Sequence, residues 1–210
     1  EKVRRGLYSP ARGGPRIVVE TAMTQQYRGR DSPPVWWTDM VAADGAAPLR
    51  VAEWENGPEW RRENGWTGSD FVHAQTAPVH IPGYLLDSPG GGPRLVGAAH
   101  FGPAAESHRG LCHGGAMCAL MDDVIGWCGF CASGTCEPWS GFTVQIDTSL
   151  RAPVAVGAWL RVEATLVRRE GRKVWVEASL SDPLACSDGR PRVHCEAKGL
   201  FLIKKEDACQ

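Results

Sequence analysis

The chain has 210 residues, enough for one generous domain or for a smaller one with an extension, because single hydrophobic cores stop growing near about 250 residues. Its 23 Lys and Arg balance 24 Asp and Glu, and the net charge of -1 leaves no electrostatic surplus to drive binding to nucleic acid or anionic lipid. Nine tryptophans are many for this length, and five of them (Trp36, Trp37, Trp54, Trp60, Trp66) fall within 31 residues.

The chain opens on Glu1 rather than Met, and Lys2, Arg4, Arg5, Arg12, Arg16, Arg28 and Arg30 face only Glu1 and Glu20 among residues 1 to 30. That bias is similar to the neighbourhood of a cleaved organellar transit peptide, or is simply a solvated basic tail. Residues 1 to 70 alternate Gly, Pro, Arg and Trp without a sustained period, so they are expected to form an irregular extension with one or two short helical turns. Only Arg16 to Glu20 reads as a strand there. Residues 71 to 93 carry Pro78, Pro82, Pro89 and Gly90-Gly91-Gly92-Pro93, the punctuation of a linker entering a main domain over residues 94 to 205.

From there the text is regular. Arg94 to Phe101 reads as a strand and Gly102 to Leu111 as a loop. His113-Gly114-Gly115 opens an apolar segment, Ala116 to Ala132, with Met117, Leu120, Met121, Val124, Ile125 and Cys128 at helical spacing, and its broad apolar surface predicts a buried helix. Asp122 and Asp123 interrupt it, so no membrane span is expected. Phe142 to Leu150, Leu160 to Leu166, Val174 to Leu180 and Arg192 to Ile203 follow as strands of period two, with Gly171 supplying the positive φ of a hairpin. One buried helix and an antiparallel meander make an α+β plan in which the sheet curls around the helix.

Eight cysteines are more than a chain of this size needs for stapling, and Cys112, Cys118, Cys128, Cys131 and Cys136 crowd one segment, so reduced thiols are expected. Cys128-x-x-Cys131 has the spacing of a redox pair or half a zinc site, but no second such pair follows, and small residues packing on a helix explain it. His100, His108 and His113 lack a recurrent ligand spacing, so no metal is expected. Cys112 and His113 are adjacent and point apart, which is a poor arrangement for a nucleophile and its base.

The text His113 to Asp122 (HGGAMCALMD), the stretch Phe142 to Pro153 with its Arg151-x-Pro153 ending, Glu170-Gly171-Arg172-Lys173 and the final Leu200-Phe201-Leu202-Ile203 resemble the hotdog-fold acyl-coenzyme A thioesterases. The likeness is greatest to the thioesterase superfamily members of animal mitochondria. It implies a long central helix wrapped by a curved antiparallel sheet, hydrolysis of acyl-CoA, and a mitochondrial setting. It also implies a homodimer or a dimer of dimers, with no cofactor beyond the coenzyme A of the substrate.

The chemistry agrees with that text. Thioester hydrolysis needs donors aimed at the carbonyl oxygen and a base or nucleophile at the carbonyl carbon. Backbone N–H groups at a helix start are such donors, and Gly114 and Gly115 let a bulky thioester approach. Asp122 is a carboxylate inside an apolar helix, where an unpaired charge needs a reason; its rival role is a salt bridge or interface contact. Gly114 and Asp122 are eight residues apart, roughly 12 Å along a helix, yet both must lie within about 3 Å of one carbonyl. A twofold dimer pairing Asp122 of one chain with Gly114 of the other satisfies both.

By the resemblance, His113 and Gly114 line the carbonyl end, Asp122 acts as general base or nucleophile, and Thr143 positions water or acyl group. Gly115, Ser149, Arg151, Arg172 and Lys173 then bind the substrate and its coenzyme A phosphates. His113 either touches substrate or only shapes the turn, and Arg172 and Lys173 either bind phosphate or are simply solvated. Ser149 stands where a close relative has Asn, and Asp123 where relatives have a small residue. A second reading makes the domain a non-catalytic or acyl-binding subunit of a larger organellar assembly, docked through residues 1 to 70.

Overall fold

The computed structural model describes residues 33–74, 76–88, 91–185 and 189–205, so the basic run and the strand expected at Arg16 to Glu20 lie outside the described residues. The elements are α1 (Val35–Ala42), α2 (Ala52–Glu63), β1 (Val79–His80), β2 (Tyr84–Asp87), β3 (Arg94–Phe101), a 3-10 turn (Pro103–Ala105), β4 (Glu106–His108), β5 (Leu111–Cys112), α3 (Gly114–Ala132), β6 (Gly141–Leu150), β7 (Trp159–Glu170), β8 (Lys173–Ala185) and β9 (Pro191–Ile203). Seven strands form one antiparallel sheet in the order β1-β3-β7-β8-β9-β6, with β2 also on β3, while β4 and β5 make a separate small ladder. The expected helix, hairpin and meander are all present, with Gly171 at φ +57 in the β7–β8 turn.

The sheet wraps α3 as the hydrophobic pattern requires. Leu120, Met121, Val124, Ile125 and Cys128 are fully buried in one core with Leu95, Phe101, Val162, Val174, Leu180 and Phe201. Two glycines let helix and sheet approach closely. A Cβ at Gly129 would lie 2.3 Å from the Phe201 ring, and one at Gly199 on β9 would lie 2.5 Å from Ile125. Length and composition alone would also suit α3 to a membrane, but it is the core of this sheet. The six described cysteines are free thiols, and burial pushes the Cys128 thiol up to about 12, which makes it a packing residue.

Where one or two short helical turns were expected in the N-terminal extension, two helices of 8 and 12 residues form and pack against the domain. α1 lays Trp37, 2% exposed, on Leu85 of β2 and Ala98 of β3, with Trp36, Met40, Val41 and Trp159 around it. The outer face of β3 is therefore covered as well as its inner face, which is why the strand is apolar on both sides. Leu49 and Val51 enter the main core, the Leu49 N–H donates to the Tyr84 carbonyl (2.7 Å), and the Leu86 N–H donates to that of Ala47 (2.8 Å). Residues 71 to 93, expected as linker, contribute β1 and β2 to the sheet. Trp37→Ala is expected to cost about 3 to 5 kcal/mol of unfolding free energy in a urea titration; a loss under about 1 kcal/mol would mean that α1 is not part of the cooperative unit.

Candidate active site

The start of α3 is held from two sides. The Cys112 N–H donates to the Val154 carbonyl (2.9 Å) and the His113 N–H to that of Ala105 (2.7 Å). His113 is the N-cap, extended at φ -67 and ψ 137, and its Nδ1 accepts from the Gly115 N–H at 2.8 Å. Its carbonyl accepts from the Ala116 N–H (3.0 Å). Of the two backbone donors expected here, that of Gly115 is therefore taken by the cap, and that of Gly114 is left at the helix start without an intrahelical partner. A Cβ at Gly115 would sit 2.8 Å from His113 Nδ1, so this glycine serves the cap. His113 does shape the turn. With Nδ1 accepting, the neutral ring carries its proton on Nε2, a second donor at the same end of the helix.

Asp122 lies two turns further along α3 and is exposed. Among the described residues it makes no ion pair. Gly126 is one turn beyond it on the same helix face, and a Cβ there would lie 3.9 Å from the Thr143 hydroxyl, so Thr143 and Asp122 share a neighbourhood. The sheet register adds the basic residues: Thr143 pairs with Phe201 and Phe201 with Val174, while in the next row Phe142, Leu202 and Lys173 stand side by side. Arg172 donates to the Ile203 carbonyl (3.0 Å), and Lys173 is exposed.

The remaining predicted residues gather at the other end of β6. Leu150 leans on the helix start, its Cδ1 2.6 Å from where a Gly114 Cβ would be. Ser149 pairs with Glu196 across β9, and Arg151 binds Glu196 at 2.9 Å in an exposed pair. The nine predicted residues thus form two groups: Asp122, Thr143, Arg172 and Lys173 at one end of β6, and His113, Gly114, Gly115, Ser149 and Arg151 at the other. From Thr143 to Leu150 the strand spans roughly 20 Å. One chain does not bring the carboxylate to the Gly114 donor.

The structure adds residues that the sequence did not reveal. Asp123 points away from Asp122 into a buried polar group, its Oδ2 accepting from the Tyr84 hydroxyl (2.6 Å) and lying 3.0 Å from His73 Nε2. Trp54 stacks on the His73 ring at 4.2 Å. The only sequence signal was an acidic residue in an apolar helix; its partners are 39 and 50 residues away.

Residues 109–183 match the model of the thioesterase superfamily. The chain is 26% identical over 124 residues to an uncharacterized protein of Schizosaccharomyces pombe, covering 58% of this chain and 65% of that one. It is also 26% identical over 109 residues to the acyl-coenzyme A thioesterase THEM4 of Bos taurus, covering 52% of this chain and 40% of that one. It therefore spans less than two thirds of either relative. Thioesterase superfamily member 2 of zebra fish superposes with a TM-score of 0.51 at 14% identity, over 74% of this chain and 100% of that one. The matched segment runs from the turn before β5 into β8, so the domain built on α3 and its curled sheet has the hotdog fold and is similar, over that segment, to the thioesterase superfamily.

Proposed function

We propose that the chain hydrolyses acyl-CoA thioesters to free acid and coenzyme A at a site completed by two copies. The observation that carries this reading is the division of the site residues between the two ends of β6. β6 is an edge strand, and Phe142 (50% exposed), Val144 (47%), Ile146 (37%) and Leu150 (51%) leave it apolar and open, a surface that soluble chains ordinarily cover. Antiparallel pairing with a second copy about an axis between Ile146 and Asp147 sets Thr143 of one chain opposite Leu150 of the other. Because Thr143 lies by the Asp122 face of α3 and Leu150 by Gly114, the same pairing carries Asp122 of one copy toward Gly114 of the other, twice.

In such a site Asp122 takes a proton from a water that attacks the thioester carbon, or attacks that carbon itself and forms an anhydride that water then hydrolyses to the free acid and the aspartate. The carbonyl oxygen becomes negative and accepts from the Gly114 N–H. The carbon–sulfur bond then breaks, and the thiolate of coenzyme A takes up a proton. Arg151, Arg172 and Lys173 supply charge for its phosphates. The basic composition of residues 1 to 30 supports a mitochondrial setting. The docking reading has lost part of its motive, since Trp36, Trp37 and Trp54 are engaged in this chain's own packing.

A chain-length series of acyl-CoAs with a free-thiol readout tests the activity. Ile146→Lys tests the assembly, because two lysines beside the axis oppose pairing. Light scattering is expected to show a monomer, with hydrolysis falling at least about 100-fold alongside. A monomer of full activity would contradict the shared site.

A further inference from the structure

The side of α3 that bears Asp122 continues through Gly126 to Phe130, eight residues and about 12 Å of helix. Gly126 has no side chain to fill that side. Outside its own helix, and among the described residues, a Cβ there would come within 4 Å of the Thr143 hydroxyl alone, at 3.9 Å. Helix and β6 therefore leave a gap between them that starts beside the carboxylate.

Aromatic rings close the far end of that gap. Phe130, buried on α3, has its ring centre 5.3 Å from that of Phe201 and 6.3 Å from that of Trp139. Trp139 in turn meets Trp66 at 5.2 Å. It lies two residues before β6, is 54% exposed, and adopts φ +66, a left-handed backbone that bulky residues avoid. A strained backbone under a half-exposed ring points to a purpose beyond core packing.

Trp66 is anchored from behind. Its N–H donates to the Arg61 carbonyl (2.9 Å), and the Arg61 guanidinium lies over its ring at 4.7 Å. That side chain is 13% exposed; it pairs with Glu53, lies 3.7 Å from Asp70 and donates to the Gly68 carbonyl at 2.8 Å. The wall thus rests on α2 and the turn after it, ahead of the matched segment 109–183.

Charge and apolar surface separate across the sheet at this end. Phe201 and Val174, in the row of Thr143, are buried toward α3, so Phe142, Leu202 and Lys173 of the next row point outward. A phosphate finds its cation outside, while the helix side offers an acyl chain Gly126, Thr143 and aromatic rings.

We infer that the gap over Gly126 takes the acyl chain of the thioester and that Trp139, backed by Trp66, sets the longest chain that fits; this rests on the reading of Asp122 as the carboxylate of thioester hydrolysis. A channel of about 12 Å suits medium-length chains such as octanoyl and excludes palmitoyl. The N-terminal segment then selects which acyl-CoA is used, a role for Trp66 that lies outside the segment shared with the family.

The test follows chain length from butyryl to palmitoyl in the full chain, with acyl-CoA for kcat/KM and non-hydrolysable S-alkyl-CoA thioethers for Kd by calorimetry. In the parent each methylene within the channel is expected to improve both by about fourfold, with a sharp fall beyond medium length. Trp139→Gly removes the ring and suits φ +66, so the turn is kept. It is expected to raise palmitoyl relative to octanoyl by at least about tenfold, the worth of about two methylenes. Gly126→Leu fills the gap and is expected to lower octanoyl relative to butyryl by at least about tenfold. One chain-length profile shared by the parent and both variants would overturn the inference, as would a parent that already prefers palmitoyl. Thioether affinities that follow the expected pattern without hydrolysis of any acyl-CoA would keep the acyl site and remove the hydrolase reading instead.

Discussion

Asp122→Asn is expected to lower kcat for acyl-CoA hydrolysis by about 10²- to 10⁴-fold, the usual worth of a positioned base, with KM little changed. Asn is nearly isosteric but neither takes up a proton nor attacks carbon. Asp122 is exposed on α3, and among the described residues it makes no ion pair, so the unfolding free energy should stay within about 0.5 kcal/mol of the parent. The contrast with its neighbour sharpens the result. Asp123→Asn breaks a buried pair with His73 and Tyr84, and its effect falls first on stability. A variant at 122 with full activity, or one that loses activity only because it unfolds, would remove this carboxylate from the mechanism.

Gly114→Pro is expected to lower kcat by about 10²- to 10³-fold, equivalent to about 2.7 to 4 kcal/mol of barrier. The substitution suits the site because Gly114 is the first residue of α3, where proline is well tolerated, and His113 before it is already extended at ψ 137. Beyond the Cβ that it shares with alanine, and its ring, its chemical consequence is loss of the N–H. Gly114→Ala is the control: it keeps the donor and asks only that the Leu150 Cδ1, 2.6 Å from the new Cβ, swing away from the helix. Alanine is expected to lose less than tenfold. Equal losses for the two variants would mean that bulk matters at this position, and not the hydrogen bond.

The core of the fold was legible because its signals are local. Period-two strands from Phe142 to Ile203 and the apolar run after His113 each declare themselves within a few residues, although β7 and β8 run on past the expected Leu166 and Leu180 to Glu170 and Ala185. α1 and α2 were legible only as short helical turns, because Gly57 and Pro58 break the pattern of α2, and Leu85 and Ala98, which α1 covers, lie far along the chain. β1 and β2 were hidden by Pro78, Pro82 and Gly83, which read as a loop although edge positions tolerate them.

The site shows the same division. The impossibility of one helix serving both ends of a carbonyl followed from spacing alone, whereas the roles of Thr143, Ser149, Arg151, Arg172 and Lys173 are what the family resemblance implies. That Gly115 is committed to the His113 cap depends on a rotamer, and spacing does not show it. The grouping of Thr143 with Asp122, and of Ser149 and Arg151 with Gly114, depends on the antiparallel run of β6 along α3. The His73 and Asp123 pair joins segments 50 residues apart and left no mark beyond an acidic residue in an apolar helix.

The shared site is tested most directly by mixing two inactive chains. Asp122→Asn and Gly114→Pro protein, unfolded together in equal amounts and refolded, should give mixed dimers in about half of the population. Each mixed dimer holds one intact site, with Asp122 from one chain and Gly114 from the other, and one doubly altered site. Recovery of about a quarter of the parent kcat per chain is the predicted result. Mixed dimers with no more activity than either variant alone would contradict it and return both groups to a single chain.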